Sequence, residues 1–251
     1  MALRITDVSD DAILLAGGAA AILLHVADPA IARGVAHHST FAERPLDRLN
    51  GTLTYLAVLV YGTPDEARAV ARTVGGAHRS VPGATDARLQ LWVAATLYDT
   101  AMRVRALVWG EDTPANAETL LADFAVVGTA LGVPASEWPA SRAAFTEYWS
   151  TYGLEVGDDA RSVCQALVHP VAAPWWMRAV MPTVRVVTAG LLPPELRDAY
   201  GLPHDQARFD RLVRRARRWY PRLPRRLRSW PTRFYLRRFR ASRSARPSRE
   251  G

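Results

Sequence analysis

The sequence predicts an all-α fold, and three observations carry that expectation. Apolar residues recur at helical spacing through most of residues 1–207, and no stretch keeps the period-two alternation of a half-buried strand. Helix-start signals stand in front of those patterns: Thr63-Pro64-Asp65-Glu66, Thr85-Asp86 and Thr113-Pro114 followed by Glu118. The 251 residues are 49% hydrophobic, which suffices for one core and excludes a disordered or fibrous chain.

Taken in order, Ala12–Leu24 is apolar all round, as a central buried helix would be. Gly17 and Gly18 inside it lower helix propensity by about 1 kcal/mol each, so something must approach closely there. Asp28-Pro29 opens a second helix that runs to His38, and Ser39-Thr40 and Pro45 mark a loop. Asp47 is a candidate cap for a helix in which Leu49, Leu53, Leu56, Ala57 and Val60 form a core face, stopped by Gly62. The helix after Thr63 runs through Val70 and Val74 to Gly75, Gly76 and His78, and Pro82-Gly83 breaks the pattern. Further helices are expected from Asp86 to about Val108, from Pro114 to Leu131, from Ser136 to Trp149 and from Asp158 to Leu167. Two more follow, from Trp175 to Val187 with a kink at Pro182, and from Pro194 to Arg197. The tryptophans at 92, 138, 149, 175 and 176 read as core or helix-packing residues.

Charge divides the chain. Residues 208–251 hold seventeen arginines against Asp210 and Glu250, about +15, which leaves residues 1–207 at about −7 of the total +8. Every basic residue is arginine. A single cysteine, Cys164, excludes an intramolecular disulfide and a cysteine-based cluster. The start of the chain lacks a signal-peptide pattern, since Asp7, Asp10 and Asp11 precede the first apolar run. That run falls short of the roughly 20 residues a membrane span needs. The expectation is a cytoplasmic protein, at most peripheral on the inner membrane face.

One stretch carries candidate chemistry. Arg48 and Thr52 are four residues apart and share a helix face. His78 follows the small residues Gly75 and Gly76, which leave room beside an imidazole. An arginine, a hydroxyl and one imidazole on neighbouring helices suit a flat, anionic, iron-bearing cofactor. With its flanks this stretch forms an ordered set: Gly17-Gly18, Pro29, Gly34-Val35, His38-Ser39, Phe41, Pro45, Arg48, Thr52, Tyr55-Leu56, Gly62-Thr63, His78, Val81, Gly83 and Trp92-Val93. Thr188-Ala-Gly190-Leu-Leu-Pro193, Arg197 and Tyr200-Gly-Leu202 come later. The set resembles the catalytic domain shared by MpaB-type oxygenases and latex clearing proteins (rubber oxygenases).

The resemblance implies a single all-helical domain over residues 1–207, with a distantly globin-like core and a pocket for haem b between buried helices. It implies His78 as the axial iron ligand, the usual role of histidine where oxygen is bound. Arg48 and Thr52 are implied as the family's arginine–threonine pair, acting on bound oxygen or on a propionate. Arg79 and Arg72 are alternative propionate partners, and Gly75 and Gly76 would flank the porphyrin. His25 stands where the family commonly has glutamine, and is read as a core histidine or as a group facing the haem. The chain departs from the family at Gly51, where a lysine can stand, at Pro82, often arginine, and at Ala94, often histidine. The implied activity is oxidation of a hydrophobic small molecule with dioxygen or peroxide. A non-catalytic haem or apolar-ligand binding protein of the same fold is the alternative.

The extension 208–251 interleaves its arginines with Trp219, Tyr220, Trp230, Phe234, Tyr235 and Phe239. That mixture suits an anionic membrane surface. It suits nucleic acid less, because the body is acidic and no reader motif is present. Pro221, Pro224 and Pro231 are expected to break it into short helical pieces, with a closing helix to about Leu227 and a disordered basic end.

Overall fold

The computed structural model describes residues 3–38, 45–79, 81–170 and 174–244. Among them every regular element is helical. The α-helices are α1 (Ile5–Val8), α2 (Gly18–Val26), α3 (Pro29–His38), α4 (Pro45–Tyr61), α5 (Pro64–His78), α6 (Ala87–Trp109), α7 (Pro114–Thr129), α8 (Arg142–Thr151), α9 (Asp158–Val168), α10 (Trp175–Leu191), α11 (Pro194–Ala199), α12 (Gln206–Trp219), α13 (Arg225–Arg228) and α14 (Trp230–Ser244). Short 3₁₀ segments occupy Ala12–Gly17, Ala135–Glu137 and Tyr220–Arg222.

Local side-chain chemistry sets the helix starts. Thr63 accepts from the Glu66 amide while the Glu66 carboxylate accepts from the Thr63 amide, a reciprocal cap worth about 1 kcal/mol. Asp86 accepts from the amides of Arg88 and Leu89, and Thr113 from that of Asn116. Asp28 caps α3 through the amides of Ala30 and Ile31. At 1.5 Å per residue, α6 spans about 35 Å and is the axis of the bundle. One core cluster lies among α2, α9 and α10, and the other among α4, α6 and α7.

Trp92 joins the two sides of α6. Its ring is fully buried, its indole N–H donates to the Leu24 carbonyl at 2.9 Å, and Tyr152 stacks on it at 4.0 Å. Tyr55 of α4 donates to the Val127 carbonyl of α7 at 2.8 Å, and Tyr200 to the Leu23 carbonyl of α2 at 2.6 Å. Phe209 of α12 presses on Gly190 of α10 so closely that a Cβ there would stand 2.3 Å from the ring.

Several expectations need correction. Ala12–Leu24 is not one buried helix: residues 12–17 form a 3₁₀ segment with Leu15 exposed, and the buried α-helix begins at Gly18. The close approach anticipated there exists at Gly17, where a Cβ would meet Val104 and Thr100 at 3.2–3.3 Å; Gly18 faces open space. Helix α4 starts at Pro45, which puts Asp47 inside the helix. The span Ser136–Trp149 is split at Pro139, and Ser141 caps the helix that follows. Trp175 and Trp176 are exposed, at 81% and 50%. Pro221 and Pro224 do fragment residues 220–229, but Pro231 sits in the first turn of the 15-residue α14, where its missing N–H costs nothing.

Position 207 falls inside α12, whose buried Phe209 closes onto α10. Helix α14 packs on α4, with Leu236 and Phe239 against the second core cluster. The closing helix expected to about Leu227 is instead followed by α14, which includes Ser242–Ser244 of the end expected to be disordered; the rest of that end lies outside the described residues. Among the described residues no single helix is long and apolar enough to cross a membrane.

Candidate functional site

The hairpin of α4 and α5 positions the candidate residues. Gly62 must be glycine at its corner, because a Cβ there would meet the Val58 carbonyl oxygen at 2.4 Å. The two helices then run back along each other. Counted from that corner, Arg48 and His78 both lie about 21 Å away, and Thr52 about 15 Å, beside the last turns of α5. The three candidates therefore share one end of the bundle, opposite the corner.

On one face of each helix the cover ends towards the candidates, while α14 reaches another face of α4 there through Tyr235, whose hydroxyl donates to Asn50 at 2.7 Å. On α4, Tyr55, Val58 and Leu59 are buried, whereas Gly51 and Thr52, on the same face one turn earlier, are exposed. On α5, Val70 is buried and its successors at helical spacing, Val74 and His78, are half-buried. A Cβ at Gly51 or at Gly75 would meet nothing within 4 Å. Helix α3 lies close by, where a Cβ on Gly34 would stand 3.5–3.6 Å from Val81 and the Pro82 carbonyl oxygen. Contact with α3 thus fixes the loop after His78, and the Val81 amide donates to the His78 carbonyl at 3.0 Å.

His78 ends α5, where the helix C-terminus favours positive charge. Arg79 is exposed, and its guanidinium would be 3.6 Å from a Cβ on Gly76. Arg72 is exposed on α5. Arg48 is part of α4, but its side chain lies outside what is described, so the arginine–threonine pairing stands at the level of the helix face. His25 is half-buried near the end of α2, and the turn expected at His38-Ser39 lies outside the described residues. The departures from the family divide. Ala94 is buried in the tight crossing of α6 and α7, 3.3 Å from where a Gly128 Cβ would be, so no imidazole fits there. Gly51 is open and could accept a side chain.

Sequence reasoning missed a polar knot beside this site. The buried Asp28 carboxylate, besides capping α3, accepts from Tyr152 at 2.8 Å and from Arg88 at 3.1 Å, and Arg88 also donates to Tyr152 at 2.8 Å. Burial, then the Asp28 charge, pushes the Tyr152 phenol above its usual range. The Asp28 cap was legible from Asp-Pro; the use of its second oxygen by residues 60 and 124 positions away was not. Burial also raises the Cys164 thiol to about 11, which leaves it inert. Among the described residues, no three histidine, cysteine or carboxylate groups converge to hold a bare metal ion.

The described residues are all-helical, and they bring the helix positions of Arg48, Thr52 and His78 to one end of the α4–α5 hairpin. Residues 6–220 match the family described as ER-bound oxygenase mpaB/B'/rubber oxygenase, catalytic domain, and the chain belongs to that family. It thus carries an oxygenase-type catalytic domain, and the match reaches through α12 to Tyr220. Uncharacterized proteins of Mycobacterium bovis and Mycobacterium tuberculosis are each 33% identical over 214 residues, covering 78% of this chain and 84% of theirs. No solved structure matches the chain.

Proposed function

We propose that this protein is a haem b-dependent oxygenase that oxidises a hydrophobic small molecule with dioxygen or peroxide, and that His78 is the iron ligand. The observation that supports this most is the uncovered end of the α4–α5 hairpin. One face of α4 is packed at Tyr55 and Val58 and open at Gly51 and Thr52, while α5 is packed at Val70, half-buried at His78 and has open space at Gly75. Among the described residues no three histidine, cysteine or carboxylate groups gather to hold a bare ion, which suits iron that arrives with its four equatorial ligands already in place. The residues present therefore fit the group. Gly75 and Gly76 leave room for a flat ring, and Arg79 supplies a cation for a propionate, a charge-assisted contact worth roughly 1.5–3 kcal/mol.

Bound there, haem would supply oxygen activation and electron transfer that no side chain provides. The chain's own residues would do the rest. His78 would hold the iron through one ring nitrogen. Thr52 would place a hydroxyl at the open side as a hydrogen-bond donor, with Arg48 one turn away on the same face. The apolar walls would exclude water and favour an apolar substrate.

A second reading is a non-catalytic haem or apolar-ligand binding protein of the same fold. Gly51 favours it, since it leaves open a place where a family lysine can stand. Oxygen uptake and peroxide consumption by the haem-loaded protein, with apolar substrates of increasing size, separate the two. Substrate-dependent turnover that falls in Thr52→Val supports the oxygenase, and a haem band without turnover supports the binding protein.

A further inference from the structure

We propose that the end of the molecule formed by α10, α12 and α13 is a docking face for an anionic lipid bilayer. The 3₁₀ segment Ala12–Gly17 is the hub of this end. It packs on α10, α14 and the second half of α6, its Ile13 amide donates to the Tyr220 hydroxyl at 3.0 Å, and its Leu15 is exposed. Two segments distant in sequence present large apolar side chains here. Helix α10 offers Trp175, Trp176 and Val180, and the end of α12, α13 and the start of α14 offer Trp219, Leu227 and Trp230, all exposed. Phe209 on Gly190 sets the register of the two helices. From that contact Val180 and Trp219 are each ten residues away, about 15 Å, towards the same hub.

Charge selects the occupant. The exposed arginines at 211, 214, 215, 217, 218, 222 and 226 surround these rings. Among the described residues the acids that answer the extension are Asp10, Asp11 and Glu66, paired with Arg225, Arg228 and Arg240. The seven arginines named above are exposed, on a body whose other residues are net acidic. Exposed tryptophans set among cations match the headgroup boundary, where rings enter the acyl edge and arginines meet lipid phosphates. Duplex nucleic acid would use the arginines and leave these six large apolar side chains in water, so it accounts for half of the surface.

The test uses the full chain with vesicles of phosphatidylcholine, with and without phosphatidylglycerol, at physiological salt, read by co-sedimentation and by tryptophan quenching from brominated acyl chains. Binding that requires phosphatidylglycerol, with quenching, is expected. The variants Trp219→Ala/Trp230→Ala and Trp175→Ala/Trp176→Ala alter exposed side chains, and circular dichroism checks that they fold. Each should lower the partition coefficient by roughly tenfold or more. The proposal is overturned if anionic vesicles are not bound or if phosphatidylcholine alone binds equally. It is also overturned if duplex DNA binds while the tryptophan variants keep full vesicle affinity.

Discussion

Thr52 and Tyr55 stand one turn apart on the same side of α4, yet Tyr55 is 5% exposed and bonded to the Val127 carbonyl, while Thr52 is exposed. The step from covered to uncovered along one helix face marks where the core stops and the candidate slot begins. A parallel step runs from the buried Val70 to the half-buried His78 on α5, and a Cβ on Gly34 of α3 would stand 3.5 Å from Val81 in the loop that follows.

The open space at Gly75 gives a substitution that separates site from scaffold. Gly75→Leu adds a helix-favouring side chain where a Cβ meets nothing within 4 Å, so stability should hold or rise by about 1 kcal/mol. Haem capacity should fall as the slot fills. Thermal melting and haem titration on the same preparation check both halves.

Gly190 behaves in the opposite way. A methyl there would press into the Phe209 ring at 2.3 Å, and both residues sit on helix backbone that shifts only together with its neighbours. Gly190→Ala should destabilise by roughly 1–3 kcal/mol. In a double-mutant cycle with Phe209→Leu the two changes should be far from additive. Urea unfolding measures the coupling.

The buried Asp28 knot should be costly to break from one side. Asp28→Ala leaves the α3 amides and Tyr152 without their acceptor, and a loss of about 1–3 kcal/mol is expected. Trp92 stacks on Tyr152, so its fluorescence should change as the knot loosens, before global unfolding. Urea titrations followed by fluorescence and by circular dichroism check this order.

Glu66 gives a pH dependence with a definite sign. The Arg240 hydrogen bonds, then the Thr63 amide, lower its carboxyl to about 2. The folded value is depressed, so the stabilisation is fully present above the ordinary carboxylate pKa near 4.3 and is lost as pH falls towards about 2. Thermal stability should fall across that window, and Glu66→Gln should flatten the fall. Melting temperature against pH for both proteins is the measurement.

What could be read in the chain beforehand follows a physical division. The caps at Thr63, Asp86 and Thr113 were legible because a side chain and an amide two or three residues on decide them. The break at Pro139 was also local, but the apolar spacing on both sides of it hid the loop. Exposure is tertiary: Trp92 and Trp175 look alike in sequence, and only the packing of α2 and α8 around α6 buries the first. The candidate site was legible as a set of residues on one end of a hairpin, because Gly62 and helix rise fix that arithmetic. Which faces stay uncovered there depends on α3 and α7, which no local pattern reveals.

The most direct test of the central claim is the absorption spectrum of protein expressed with haem precursor, set beside His78→Ala. The account predicts a Soret band at near one haem per chain in the parent, and its loss or marked shift in His78→Ala with helicity and melting temperature preserved. An unchanged band in His78→Ala, or a folded parent that takes up no haem, would contradict it.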